Sequence, residues 1–154
     1  MRLFSIVMFV IFMGRLCAQE TTVDSAQAKI EKYYNTGISD SLRNYYKAQI
    51  EHMNKYILKD SLNSKAFLQR GIYYGQLGFQ VKAIADYDKS LKLDSNESIA
   101  YFNRGIAKAR FIYSYDACYD IKKAHSLGVD AAENIYKSYC RLYHSQIEKK
   151  FQSN

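Results

Sequence analysis

Proline and tryptophan are absent from this 154-residue chain, and glycine occurs only seven times. Proline and glycine are the residues that most readily break a helix, so their scarcity favours long, uninterrupted helices. Several short strands joined by tight turns would need more of both residues. The apolar share of 48% is ordinary for a globular protein, and the length fits one modest domain. The composition therefore favours a helical domain.

A concentrated patch of positive charge is also missing, although the formal net charge is +7. Lysine and arginine are interspersed with aspartate and glutamate along the chain, which is typical of a solvated helical surface. Proteins that bind nucleic acid usually collect their basic residues on one face. We therefore expect no nucleic-acid partner.

The first eighteen residues have the order of a secretory signal peptide. Arg2 gives a positive start, residues 3–13 are almost entirely apolar, and the small residue Ala18 precedes the expected cleavage site. An uncleaved signal anchor at the membrane is the alternative, but the apolar run is about half of the roughly 20 residues that a spanning helix needs. We expect residues 1–18 to be removed, leaving an exported protein with no stable membrane span.

The chain repeats itself with a period of 34 residues. When residues 64–97 are placed over 98–131, identical or similar residues coincide in one register. The coinciding pairs include Ala66 with Ala100, Phe67 with Tyr101, Arg70 with Arg104, Gly71 with Gly105, Ile72 with Ile106, Ala83 with Ala117, and Asp86 with Asp120. Two complete structural units therefore follow one another over 64–131.

The same register divides the rest of the chain. Residues 30–63 match it faintly and are interpreted as a degenerate first unit, preceded by a lead-in over 19–29. Within that first unit, Ser39-Asp40-Ser41 has the composition of a new helix cap. Residues 132–154 keep only the beginning of the pattern, which predicts a single closing helix over 132–151.

Each complete unit is predicted to form two helices. Apolar residues recur three and four positions apart over 66–77 and again over 81–93. Gly78 is expected to end the first helix, because glycine readily adopts the positive φ of a helix C-terminus. Asp94-Ser95-Asn96 is expected to end the second helix and to cap the next one.

This unit resembles the tetratricopeptide repeat, which has 34 residues, aromatics at its fourth and eleventh positions and glycine at its eighth. The matching residues are Phe67, Gly71, Tyr74, Gly78, Ala83 and Tyr87 in one unit, and Tyr101, Gly105, Ala117 and Ala124 in the next. The resemblance implies an all-α fold, a short helix-turn-helix solenoid of about three repeats with a closing C-terminal helix. Gly71 and Gly105 would let the paired helices cross closely.

The stretch from Ala117 to Gly128 is similar to the last repeat of many secreted bacterial tetratricopeptide proteins, in which a second cysteine often follows in the closing helix. This likeness implies a bacterial periplasmic or extracellular location. An oxidising compartment permits disulfides, so Cys118 and Cys140 are a candidate bridge that would contribute roughly 3 kcal/mol. Two small, buried, unbonded thiols are the alternative.

No pattern of residues predicts catalysis or cofactor binding. His52, His125 and His144 do not have the spacing of a metal site on one helix. Cys140 and His144 are one helical turn apart, but nothing in the sequence supplies a third orienting group or an oxyanion site. We therefore predict that the protein is not an enzyme and binds neither a cofactor nor a metal.

In tetratricopeptide proteins the first helix of each unit lines a concave groove, and the resemblance carries those positions to this chain. The candidate groove residues are Lys65, Leu68, Gln69, Ile72 and Gln76, then Phe102, Asn103, Ile106 and Arg110, then Tyr136 and Lys137 of the closing helix. The apolar members would hold side chains of a peptide, and the polar members would bond its backbone or a carboxylate. The alternative is that the closing helix or a second copy covers the apolar members.

Two functions follow from this pattern. The groove of a non-catalytic interaction module or scaffold would bind a segment of another envelope protein. Alternatively, the chain is a self-associating structural protein with no peptide ligand, because two or three units are close to the lower limit for a stable array. An enzyme is the third class, and no motif supports it.

Overall fold

The computed structural model describes residues 25, 28–29, 31–32, 37–111 and 114–153. Seven α-helices follow one another over residues 40–152, and the described part of the chain contains no strand. They are α1 (Asp40–Lys59), α2 (Ser64–Gln76), α3 (Gln80–Leu93), α4 (Ser98–Ala109), α5 (Tyr115–Ser126), α6 (Ala131–Tyr139) and α7 (His144–Gln152), with a 3₁₀ turn at Arg141–Tyr143. The predicted all-α class is confirmed.

Adjacent helices pack in pairs and form a helical repeat solenoid. The two most extensive packings are α2 on α3 and α4 on α5, so each complete unit is a helical hairpin. Further contacts join α1 to α2 and α3 to α4, while α5 packs on both α6 and α7. Because each hairpin contacts mainly its neighbours, the core runs along the stack.

Two parts of the prediction concern residues at the beginning of the chain. The expected signal peptide over 1–18 lies outside the described residues, as does most of the lead-in over 19–29. Among the described helices, none combines the length and apolar character needed to cross a membrane.

In the first unit, Ser39 caps α1 by accepting a hydrogen bond from the Leu42 N–H at 3.3 Å, as its sequence predicts.

The turns follow local backbone chemistry. Gly78 has a φ of 80°, and it ends the hairpin's first helix as predicted. Asp94 ends α3 as predicted, and its carboxylate accepts a hydrogen bond from the Asn96 N–H at 3.0 Å, but Asn96 does not cap α4. The cap is Glu97, whose side chain accepts a hydrogen bond from the Ile99 N–H at 3.3 Å.

Close helix crossings explain the two glycines shared by the complete units. A Cβ added at Gly71 would lie 2.7 Å from Tyr87 Cε1 and 3.2 Å from the Ala83 carbonyl oxygen. A Cβ added at Gly105 would lie 2.8 Å from Ile121 Cγ1 and 3.0 Å from the Ala117 carbonyl oxygen. Ala83, which packs on the same crossing, is completely buried. The backbones of each hairpin therefore approach to a distance that a larger side chain would prevent.

The closing segment differs from the single helix predicted over 132–151. Helix α6 ends at Tyr139, the 3₁₀ turn follows, and α7 begins at His144. Cys140 sits at this break, and its sulfur is bonded to Cys118 of α5 at 2.02 Å. The bend returns α7 to the same core, where Ile147 is completely buried.

Candidate functional site

A chain of polar contacts centred on Arg70 joins three successive helices. Its Nε and Nη2 donate hydrogen bonds to the two carboxylate oxygens of Asp86 on α3, at 2.8 and 2.6 Å. Its Nη1 donates to the Asn54 side-chain oxygen on α1 at 2.8 Å. The guanidinium also lies 5.5 Å from the centre of the Phe67 ring. One side chain thus fixes α2 between the helices on either side.

The same arrangement recurs 34 residues later around Arg104. Its Nε and Nη2 donate to Asp120 on α5 at 2.8 and 2.6 Å, and its Nη1 donates to Asp88 on α3 at 2.6 Å. The Lys108 ammonium adds a further bond to Asp120 at 2.8 Å. We call the two arginines and their partners the arginine network. Our sequence reasoning missed it, although both arginines and both buried aspartates occupy matching positions in the repeat.

The charged groups of the arginine network are mostly buried, which suits them to holding the helices together. The Asp120 side chain is 2% exposed and that of Arg104 is 17% exposed. Burial opposes the charged form of Arg104, but its hydrogen bond and charge interaction with Asp120 outweigh burial, so the pKa of Arg104 is raised. Arg70 has a raised pKa too, chiefly because of its hydrogen bond to Asp86. These arginines remain charged and paired, and they position helices instead of transferring protons.

The helices held by this network border a small cleft, which we call the α2–α4 cleft. It has a volume of about 70 Å³ and is lined by five of the predicted groove residues, Ile72, Gln76, Asn103, Ile106 and Arg110, together with side chains of α3. That volume is well below the roughly 300–1,000 Å³ of a typical small-molecule site. The cleft has room for one small side chain of a partner.

The α2–α4 cleft combines apolar and polar groups. Ile72 and Ile106 are half-buried, whereas Gln76 and Arg110 are exposed at its rim. Asn103 donates a hydrogen bond from its amide to the Ile99 carbonyl at 2.9 Å, which fixes the direction of the side chain. Lys65 and Gln69 are exposed on the same helix as Ile72, but they do not line the cavity. The apolar pair therefore lies within a polar surround.

Three predicted groove residues with large apolar or aromatic side chains pack into the core instead of lining the cleft. Leu68 is 5% exposed and belongs to the core formed with α3 and α4, because the next hairpin packs over it. Phe102 is half-buried against the core formed by α5, α6 and α7. Tyr136 is also 5% exposed and belongs to that second core. Leu68 and Tyr136 are therefore largely covered in this structure, and Phe102 is partly covered by its packing on the second core.

Lys137 lies apart from the α2–α4 cleft, at a second and larger cavity. This C-terminal cavity has a volume of about 450 Å³ and lies between α5, α6, the 3₁₀ turn and α7. Its lining includes Lys122, His125, Tyr136, Lys137, Arg141 and His144. The repeat register could not reveal this cavity, because the bend at Cys140 creates one of its walls.

The residues considered for catalysis or metal binding do not form a reactive set. His125 and His144 line the same cavity, while His52 stacks edge-on with Tyr56 on α1. Within the described residues, no three histidine, cysteine or acidic side chains are grouped so that they could hold a metal. The Cys140 sulfur is bonded to Cys118, so Cys140 has no thiol that could act as a nucleophile beside His144.

Comparison with protein families and with curated proteins gives no match to this chain. A function must therefore be inferred from the cleft, the arginine network and the C-terminal cavity. The α2–α4 cleft contains side chains from two successive repeats and is open to a partner, whereas the arginine network is engaged within the protein.

Proposed function

We propose that this protein is a non-catalytic interaction module of the tetratricopeptide type that binds a segment of another protein in its α2–α4 cleft. The 34-residue register supports this family, together with the glycines at both helix crossings. Helical repeat arrays commonly use the surface shared by neighbouring units to bind extended or helical segments.

The observation that carries the proposal is the position of Ile72 and Ile106 in one cleft. Both are half-buried and both are accessible from a cavity whose other lining groups include Gln76, Asn103 and Arg110. An apolar side chain of a partner would be buried at the centre, while amide and guanidinium groups would bond the partner's backbone or a carboxylate. This division into an apolar centre and a polar rim is typical of interfaces that bind protein.

We also propose that the protein acts in a bacterial periplasm or outside the cell. The pattern of residues 1–18 supports export. The pairing of Cys118 with Cys140 also favours this location, because disulfides persist in oxidising compartments. Its partner would then be another envelope protein.

Charge reversal at the rim tests the cleft. Arg110→Glu and the control Lys92→Glu change the net charge equally, and both residues are exposed, but Lys92 lies on α3 outside the cleft lining. We expect Arg110→Glu to raise the dissociation constant for the envelope partner at least tenfold, which corresponds to about 1.4 kcal/mol. Lys92→Glu should leave that dissociation constant unchanged. Equal affinity of both variants for the partner, with unchanged circular dichroism, would show that the partner does not bind in the cleft.

Self-association is the second candidate, and exposed leucines favour it. Leu58 at the end of α1 is 86% exposed, Leu62 in the following turn is 73% exposed, and Leu142 in the 3₁₀ turn is 87% exposed. Exposed apolar groups at both ends of the described array could be covered by further copies. Sedimentation decides between the candidates, because a mass that rises with concentration supports association and a constant monomer mass rejects it.

A further inference from the structure

The C-terminal cavity contains more positive than negative charge. Lys122 pairs with Glu148 at 2.8 Å, and Lys137 pairs with Glu133 at 2.7 Å. Arg141 also lines the cavity, and its guanidinium makes no ion pair with any residue that the structure describes. Two of the three permanent cations are therefore neutralised by neighbours, while the third is available to an anion.

Two polar atoms beside this cavity lack a hydrogen-bond partner among the described residues. They are the Tyr136 hydroxyl and Nδ1 of His125, and both are inaccessible to water. Leaving a buried polar atom without a partner costs about 1–3 kcal/mol, so each such atom needs a physical explanation, and a group bound in the cavity is one. Burial, followed by the nearby charge of Glu148, raises the pKa of Tyr136 to about 12. Its hydroxyl is therefore a neutral hydrogen-bond donor at ordinary pH.

The walls of the cavity are held in place before any ligand arrives. Cys140 is completely buried, immediately precedes Arg141, and is bonded to Cys118 of α5. Ile147, also completely buried, holds α7 against the same core. The Lys122 ammonium lies 5.2 Å from the centre of the Tyr136 ring, which orders that side chain as well. Preformed walls reduce the entropy that a ligand must lose on binding.

We infer that the C-terminal cavity binds a small organic monoanion, a single carboxylate carried on an apolar or aromatic body. The Arg141 guanidinium binds the carboxylate, for which its planar donors are suited. The rings of Tyr136, His125 and His144 contact the body of the ligand. The cavity volume of about 450 Å³ fits such a molecule, since small-molecule sites span roughly 300–1,000 Å³. A monoanion matches the one permanent cation that the neighbours leave unneutralised.

Isothermal titration with 4-phenylbutyrate tests this inference on the disulfide-bonded protein. The matched probe is 4-phenylbutyramide, which has the same body without the charge, and inorganic phosphate supplies charge without the body. We expect the acid to bind at least tenfold more tightly than either. Equal binding of the acid and the amide, tighter binding of phosphate, or no binding of the acid would overturn the inference.

Matched variants assign the binding to the cavity. Arg141→Gln should weaken binding of the acid at least tenfold, whereas Lys149→Gln, which removes an exposed charge from α7 outside the cavity lining, should leave it unchanged. Loss of binding in both variants would mean that the acid responds to overall charge and not to this site. Arg110→Glu should leave binding of the acid unchanged, which separates this inference from the proposed function of the α2–α4 cleft.

Discussion

At the scale of single residues, burial separates two carboxylates that bind the same cation. Asp88 and Asp120 both lie 2.6 Å from Arg104, yet the Asp88 side chain is 55% exposed and that of Asp120 is 2% exposed. An exposed ion pair is screened by solvent, whereas a buried charge that loses its partner has no water to replace it. The two aspartates should therefore differ greatly in their effect on stability.

Substitution of each aspartate measures this difference. Asp120→Asn should lower the free energy of unfolding by about 3 kcal/mol or more, because Arg104 and Lys108 lose a buried counter-charge. Asp88→Asn should lower it by about 1 kcal/mol or less. Urea unfolding of both variants provides the comparison, and equal losses would show that the network is not organised by burial.

Glycine substitutions test the close helix crossing within one hairpin. Gly71→Ala places a Cβ 2.7 Å from the Tyr87 ring and 3.2 Å from the Ala83 carbonyl oxygen, so we expect a loss of about 1–3 kcal/mol. Gly75→Ala is the matched control in the same helix, where the new Cβ would lie 3.5 Å from the Tyr87 hydroxyl. Thermal unfolding should show a lower Tm for the first variant alone. A Tm for Gly71→Ala at or above that of Gly75→Ala would refute the close crossing.

The buried phenol of Tyr136 predicts an alkaline loss of stability. Its pKa is raised from 10.0 to about 12 by burial, so the unfolded chain releases this proton at a lower pH than the folded chain does. The contribution of the Tyr136 phenol to the free energy of unfolding is fully present below pH 10 and is lost as the pH rises toward 12. Tyr136→Phe should remove part of this loss. Denaturant midpoints measured from pH 9 to 12 would contradict the assignment if both proteins declined in parallel.

At the scale of helices, the sequence predicts what depends on local pattern and misses what depends on long-range contact. The hairpin of α2 and α3 follows from apolar spacing and from Gly78, whose positive φ of 80° needs no tertiary information. The break at Cys140 could not be predicted in the same way, because no proline or glycine lies near it in the sequence. It arises because Cys140 bonds to Cys118 while Ile147 must reach the same core.

The disulfide should stabilise the C-terminal helices more than the first complete hairpin. It joins residues 22 positions apart in sequence, and such a link contributes about 3 kcal/mol. In the double variant Cys118→Ala, Cys140→Ala, backbone amides of α6 and α7 should exchange hydrogen faster, while those of α2 and α3 keep their rates. Uniform acceleration along the chain would instead show that all the repeats unfold as one unit.

At the scale of the whole molecule, the arginine network links each hairpin to the next. Arg70 bonds α1 and α3, and Arg104 bonds α3 and α5, so both arginines hold helices that belong to neighbouring units. The 34-residue register placed these residues in equivalent positions, but a separation of 16 residues shows contact only once the hairpin geometry is known. For the same reason, the register predicted that Ile72 and Ile106 would line one groove, but it could not predict that the next hairpin would cover Leu68.

The central claim is that the α2–α4 cleft binds another protein, and site-specific photo-crosslinking tests it most directly. The crosslinking residue replaces Gln76 at the rim of the cleft, and the control replaces Ala85, an exposed residue of α3 outside the cleft lining. In cells of the source organism, we expect one discrete envelope protein to be linked at position 76 and not at position 85, and the link to disappear in Arg110→Glu. Equal products at both positions, or links only to another copy of this chain, would contradict the claim.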